Sequence, residues 1–218
     1  AGFDNYRSWR WEYLKRFDYT PEDCLKFHEA IEKVVMPFVN KLMKERKDKL
    51  GLETLKPWDL SVDPDGREPL TPFQNAGELE EKCHNIFRAV DPELGNHFDV
   101  MRENKLLDLA NRKGKAPGGY CTEYYHQRLP FIFMNAVGTH SDVQTMLHEG
   151  GHAFHVFESD QLPYSAQRDV GMEFAEVASM AMELLAAPYI TKDFGGFYDL
   201  EDANRARIEH LEKLVLFW

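Results

Sequence analysis

Apolar residues recur at helical spacing along most of the chain. From Thr20 to Gly51, TPEDCLKFHEAIEKVVMPFVNKLMKERKDKLG predicts one long helix. Thr20 is its N-cap, Pro21 takes the first turn, Asp23 completes a capping-box pattern and Gly51 ends it. Pro37 lies inside and should kink or divide it. Residues 57–72 hold four prolines and an Asp65-Gly66 pair, which predicts a loop with a short strand at Leu60–Val62. Two shorter helical patterns follow, GELEEKCHNIFRAVD and PELGNHFDVMRENKLLDL. After glycine punctuation come β-formers at Tyr120–Tyr125 and Pro130–Asn135, which predict a two-stranded piece. In the second, Ile132 and Met134 share one face, and Phe131 and Phe133 the other. Helical period returns from Thr139 to Glu158, in GMEFAEVASMAMELLAAPYI up to Pro188, and in LEDANRARIEHLEKLVLFW. The pattern as a whole predicts a mainly α fold with a small sheet just before the helix at Thr139.

Composition narrows the setting. The chain has 218 residues, 43% apolar and 29% charged, enough to bury a real core. No apolar run approaches the ~20 residues that span a bilayer, so no membrane partner is expected. A formal charge of −11 disfavours a nucleic-acid backbone as partner. Cys24, Cys83 and Cys121 are odd in number and far apart, which fits reduced, inert thiols in a cytoplasmic protein. The start at AGFDNYRSW and the apolar stripe running out through Val215, Leu216, Phe217 and Trp218 predict a chain truncated at both ends.

The chemistry sits in TMLHEGGHAFH, Thr145 to His155. Residues four apart share a helix face, so His148 and His152 can direct two imidazoles at one ion. Glu149 is offset by one step, within reach of a metal-bound water and able to act as general base without ligating. This is the mechanical content of the H-E-x-x-H motif. Gly150 and Gly151 each cost a helix about 1 kcal/mol against alanine, so a neighbouring element should approach the backbone closely there. A third ligand completes a His₂Glu set. Glu173 and Glu176 both qualify, and spacing alone does not choose between them. The small and apolar residues around Glu176 favour it, since a buried carboxylate needs a cation or hydrogen bonds. Glu183 and Ser179 lie on the Glu176 face and are candidates to orient a ligand imidazole. His155, one turn beyond His152, reads as a core or supporting residue, because no glycine turn precedes it.

The runs GKAPGGYC, PFIFMNAVGTHSDVQTMLHE, HEGGHAFH and EFAEVASMAMELL together resemble the oligoendopeptidase F branch of the thimet-oligopeptidase-like metallopeptidases. The resemblance extends from GFDNYRSW to the end of the chain. It implies a helical metallopeptidase catalytic domain, with residues 1–115 as a helical wall region and 116–218 as a zinc-binding core. It implies one Zn²⁺ on His148, His152 and Glu176, with Glu149 as base, and it selects Glu176 over Glu173. The implied function is endopeptidase hydrolysis of short unstructured peptides, with the missing parts of the same protein as a further partner. It gives PFIFMN the role of an edge strand to which substrate adds, with Phe131, Ile132, Phe133, Met134 and Asn135 as substrate-binding positions. Gly118 and Gly119 would form a loop beside the channel. Relatives carry a histidine and tyrosines downstream that stabilise the tetrahedral intermediate; no such motif follows Glu176 here, so this stretch alone is expected to bind zinc and cleave weakly. Two rival readings are a zinc carboxypeptidase of related helical type and a non-catalytic peptide-binding module.

Overall fold

A computed structural model describes residues 2–217. The chain divides into two compact units, residues 2–69 with 208–217, and Leu70–Arg207.

The first unit is helical. Asn5 caps α1 (Tyr6–Tyr13), a helix absent from the sequence prediction, and the rings of Tyr6, Trp9 and Tyr13 meet at tilted angles along its face. The helix predicted for 20–51 is realised as α2 (Pro21–Ala30) and α3 (Met36–Leu50), joined by a π-helical stretch at Ile31–Val35. Pro37 has no N–H and would clash with the carbonyl four residues back. The chain absorbs this by widening the preceding turn, where Met36 N–H bonds to the Ile31 carbonyl. The Thr20–Asp23 capping box forms as expected, and Gly51 ends α3 in the left-handed region. The strand expected at Leu60–Val62 does not form. Pro57–Ser61 is a 3₁₀ turn, and the Arg46 guanidinium takes the carbonyls of Asp59, Leu60 and Val62, which a strand would have needed for a ladder.

The second unit holds the core. Helices α4 (Ala76–Val90) and α5 (Pro92–Glu103) precede a three-stranded sheet of β1 (Leu107–Ala110), β2 (Tyr120–Tyr124) and β3 (Leu129–Ala136) in the order β1-β3-β2. β1 runs parallel to β3 and β2 antiparallel to it. The sequence pattern carries the second short helix on through Leu109 and so misses β1. That helix ends instead at Asn104, where Lys105 adopts φ +56° and Leu106 N–H reaches back to the Met101 carbonyl. This is a Schellman stop with lysine in the place where glycine would have announced it. Because α4, α5 and β1 share a unit with everything up to Arg207, no boundary between compact units falls at residue 115.

After β3 come α6 (His140–Ser159), the short α7 (Ser165–Arg168), α8 (Met172–Ala186) and α9 (Leu200–Leu216). Thr139 and Asp142 form a full capping box on α6. The two helix glycines are explained by close packing. A β-carbon on Gly150 would lie 2.6 Å from the Phe87 ring, and one on Gly151 would lie 2.5 Å from the Ala178 carbonyl and 2.7 Å from Ser179 Cα. Phe87 meets Phe154 edge-on at 4.8 Å, and both belong to a core that includes Leu79, Ile86, Phe98, Ile132, Met146 and Leu147.

Replacing Gly151 with alanine forces α6 and α8 apart along backbone that cannot yield. We expect Gly151→Ala to lose about 1–3 kcal/mol by urea unfolding. A variant as stable as the parent would show that the contact relaxes freely. A second prediction concerns acid. Asp108 accepts two hydrogen bonds from Arg112 and one from Lys115, whose side chain is 1% exposed; Arg112 first, then Lys115, lower the Asp108 pKa to about 2. A carboxylate depressed on folding stabilises above its unfolded pKa, near 3.8, and loses that contribution as pH falls towards about 2. Asp108→Asn should therefore be less stable than the parent at pH 6, and the gap should narrow below about pH 4 and close only as pH falls past about 2.

Candidate metal centre

Two helices supply the donors. On α6, His148 and His152 face the same way, with ring centroids 5.0 Å apart and planes at 87°. From α8, Glu176 Oε2 lies 3.3 Å from His148 Nε2 and 3.8 Å from His152 Nε2. Donor atoms of the three residues all fall within 4.8 Å of one another. Glu173 is exposed, one turn earlier on the same helix, and is not brought into this group. The closeness that Gly151 permits between α6 and α8 is what lets a carboxylate from one helix meet imidazoles from the other.

The supporting residues divide their work differently from the sequence expectation. Glu183, one helical heptad beyond Glu176, takes His148 Nδ1 at 2.7 Å. With Nδ1–H donating to that carboxylate, Nε2 keeps its lone pair for an ion. Ser179 directs its hydrogen bonds to Glu176 rather than to an imidazole. Its hydroxyl donates to Glu176 Oε2 at 2.8 Å and to the Glu176 carbonyl at 3.1 Å, so it orients the carboxylate instead. His155 is partly buried, near enough for its charge to disfavour protonation of His152.

Burial and charge tune each group. Glu183 raises the pKa of His148 through its hydrogen bond. Burial lowers that of His152. Glu149 is 7% exposed, and burial raises its carboxyl above the usual glutamate range, which the His148 charge and the Cys121 backbone N–H partly offset. That N–H was not foreseen. No side-chain pattern signals it, because the contribution of Cys121 is its main chain. Its thiol is pushed up to about 12, first by burial and then by the Glu149 charge, so it is an unreactive thiol as expected. The three cysteines are unpaired.

The strand expected to receive substrate is misassigned. β3 is the central strand, paired with β1 on one side and β2 on the other, so its backbone is already engaged. Ile132 and Met134 are 0% and 2% exposed and belong to the core. Phe131 and Phe133 pack against Tyr124 and Tyr120 of β2. Asn135 turns its amide to the Ala116 and Gly118 carbonyls. Among the described residues the free edge beside Glu149 is that of β2. Gly118, Gly119 and Asn135, with Met134, Asp142 and Thr145, line a shallow pocket of about 270 Å³.

The model of Peptidase family M3 matches residues 1–217. Group B oligopeptidase PepB of Streptococcus agalactiae is 27% identical over 195 residues, 88% of this chain and 30% of that protein. An oligoendopeptidase F homolog of Borreliella burgdorferi is 28% identical over 72% of this chain and 27% of its own length. Among solved structures, PZ peptidase A with an inhibitor superposes at a TM-score of 0.89 with 35% identity, over 99% of this chain and 37% of that one. A putative oligoendopeptidase F from Bacillus anthracis gives a TM-score of 0.89 with 30% identity, over 99% of this chain and 39% of that one. The chain thus spans between 27% and 39% of the length of these relatives. It belongs to peptidase family M3, in the oligoendopeptidase F branch.

Proposed function

We propose that this chain carries the zinc site of an endopeptidase that hydrolyses short unstructured peptides. The observation that carries the reading is the convergence of His148, His152 and Glu176 with Glu149 beside them. Two imidazole nitrogens and one carboxylate oxygen suit zinc, and three protein ligands, rather than four, are the mark of a catalytic site. That ligand count disfavours a structural metal in a non-catalytic module. When bound, zinc supplies Lewis acidity and makes a water ionise near neutral pH.

The residues of the chain do the rest. Glu149 takes the proton of the attacking water and passes it to the leaving amine. Its raised pKa brings it closer to neutrality, where it can both accept and return a proton. Glu183 fixes the His148 tautomer and Ser179 fixes Glu176. A peptide can add as a further strand to the outer edge of β2, which places its backbone beside Glu149. Pairing through main-chain groups accepts many side chains, which fits broad peptide specificity. Free thiols support a cytoplasmic setting, and among the described residues no helix is long and apolar enough to cross a membrane.

The reading is tested by metal analysis of the chain beside His148→Ala, together with turnover of peptides blocked at both ends. About one zinc per chain, lost in the variant, supports it; a carboxypeptidase would spare the blocked peptides. Glu149→Gln should keep the metal while turnover falls by about 10²–10⁴; near-normal turnover would remove Glu149 from the mechanism. Glu176→Gln should weaken metal binding and Glu173→Gln should leave it unchanged. Glu183→Ala should weaken zinc affinity by about 10–100-fold.

A further inference from the structure

The glycine-rich segment 116–119 leads directly into β2, and two side chains hold it that the peptidase mechanism does not use. Asn135, near the end of β3, donates both amide hydrogens, one to the Ala116 carbonyl and one to the Gly118 carbonyl, each at 2.9 Å. Lys115 stands at the start of the segment with its side chain 1% exposed. Its ammonium has three donors and finds three acceptors: the Asp108 carbonyl at 2.9 Å, Asp108 Oδ1 at 3.0 Å and the Ala110 carbonyl at 2.9 Å. It also sits 4.4 Å from the centre of the Phe133 ring, which stacks on Tyr120 of β2. A buried ammonium satisfied this fully cannot shift without exposing an unpaired charge to an apolar setting. At the other end, Gly118 holds φ +100°, and a β-carbon on Gly119 would lie 3.2 Å from Thr145 Cγ2 of α6. β2 itself packs against α6, the helix that carries Glu149.

We propose that Lys115 and Asn135 are positioning residues. Together they brace segment 116–119 so that β2 begins at a fixed place beside Glu149, and they thereby set how well the β2 edge accepts a peptide backbone. This rests on the peptidase reading and deepens it. It also changes the task of Asn135: its amide holds the protein's own loop rather than the substrate.

The test compares the parent with Asn135→Ala, Asn135→Ser and Asn135→Asp; Lys115→Met is a secondary variant, since it can fail to fold. In Asn135→Ala we expect amide hydrogen exchange across residues 117–122 to quicken by about tenfold while α6 and α8 keep their protection. We expect KM for a blocked peptide to rise by roughly tenfold, with kcat within about twofold of the parent. Zinc content and Tm should hold. Serine, with one hydroxyl donor, should recover part of the effect. Aspartate, which offers no donor at neutral pH and faces two carbonyls, should be no better than alanine. Unchanged exchange overturns the proposal. So does faster exchange with an unchanged KM, a fall in kcat alone, or a joint loss of zinc and Tm, which would mark Asn135 as merely structural. If the parent binds zinc but neither binds nor cuts the peptide, the peptidase reading fails, and the exchange comparison alone decides whether the brace exists.

Discussion

The site depends on how closely two helices approach. At Gly151 the backbone of α6 lies against Ala178 and Ser179 of α8, with no room for a methyl group. Everything assigned to metal binding follows from that contact. His148 and His152 stand on one helix, Glu176, Ser179 and Glu183 on the other, and no residue of a third element is needed to close the donor set. A helix glycine is a local cost of about 1 kcal/mol. Here it is offset by a carboxylate placed where two imidazoles can share an ion with it.

The sheet supplies the second boundary of the site. The buried face of β3, through Ile132 and Met134, roots it in the same core that holds Phe87 of α4 and Phe154 of α6. β2 is pinned to β3 along five residue pairs, from Tyr120 against Phe133 to Tyr124 against Leu129. Glu149 lies on α6, which packs against β2, and its burial raises its pKa. Glu149, the candidate metal donors and the strand edge all lie within the one compact unit Leu70–Arg207.

What could be read beforehand follows from where the information lies. His148, Glu149 and His152 announce themselves by spacing on one helix, and Gly150-Gly151 foretells a close neighbour. Glu176 needed the resemblance, because spacing treats Glu173 equally; the structure separates them by position along α8, with Glu173 exposed one turn earlier and outside the donor group. β1 was hidden by a lysine doing a glycine's work at Lys105. The exchange of roles between β3 and β2 was hidden for a different reason. Alternation along PFIFMN reveals which face is buried, but strand order is set by β1, an element the local pattern had folded into a helix. The π-helical turn before Pro37 shows the same limit from another side: proline forecasts trouble but not the form the relief takes.

The main-chain influence on Glu149 has an evolutionary consequence. The raised pKa of this buried carboxylate is partly offset by the N–H of residue 121, a group that every residue but proline possesses. Position 121 can therefore drift among side chains that fit the space without losing that influence. A position that tunes the carboxylate of the proposed base could then look unremarkable to a search that ranks residues by side-chain identity. Its one distinctive signature would be an aversion to proline.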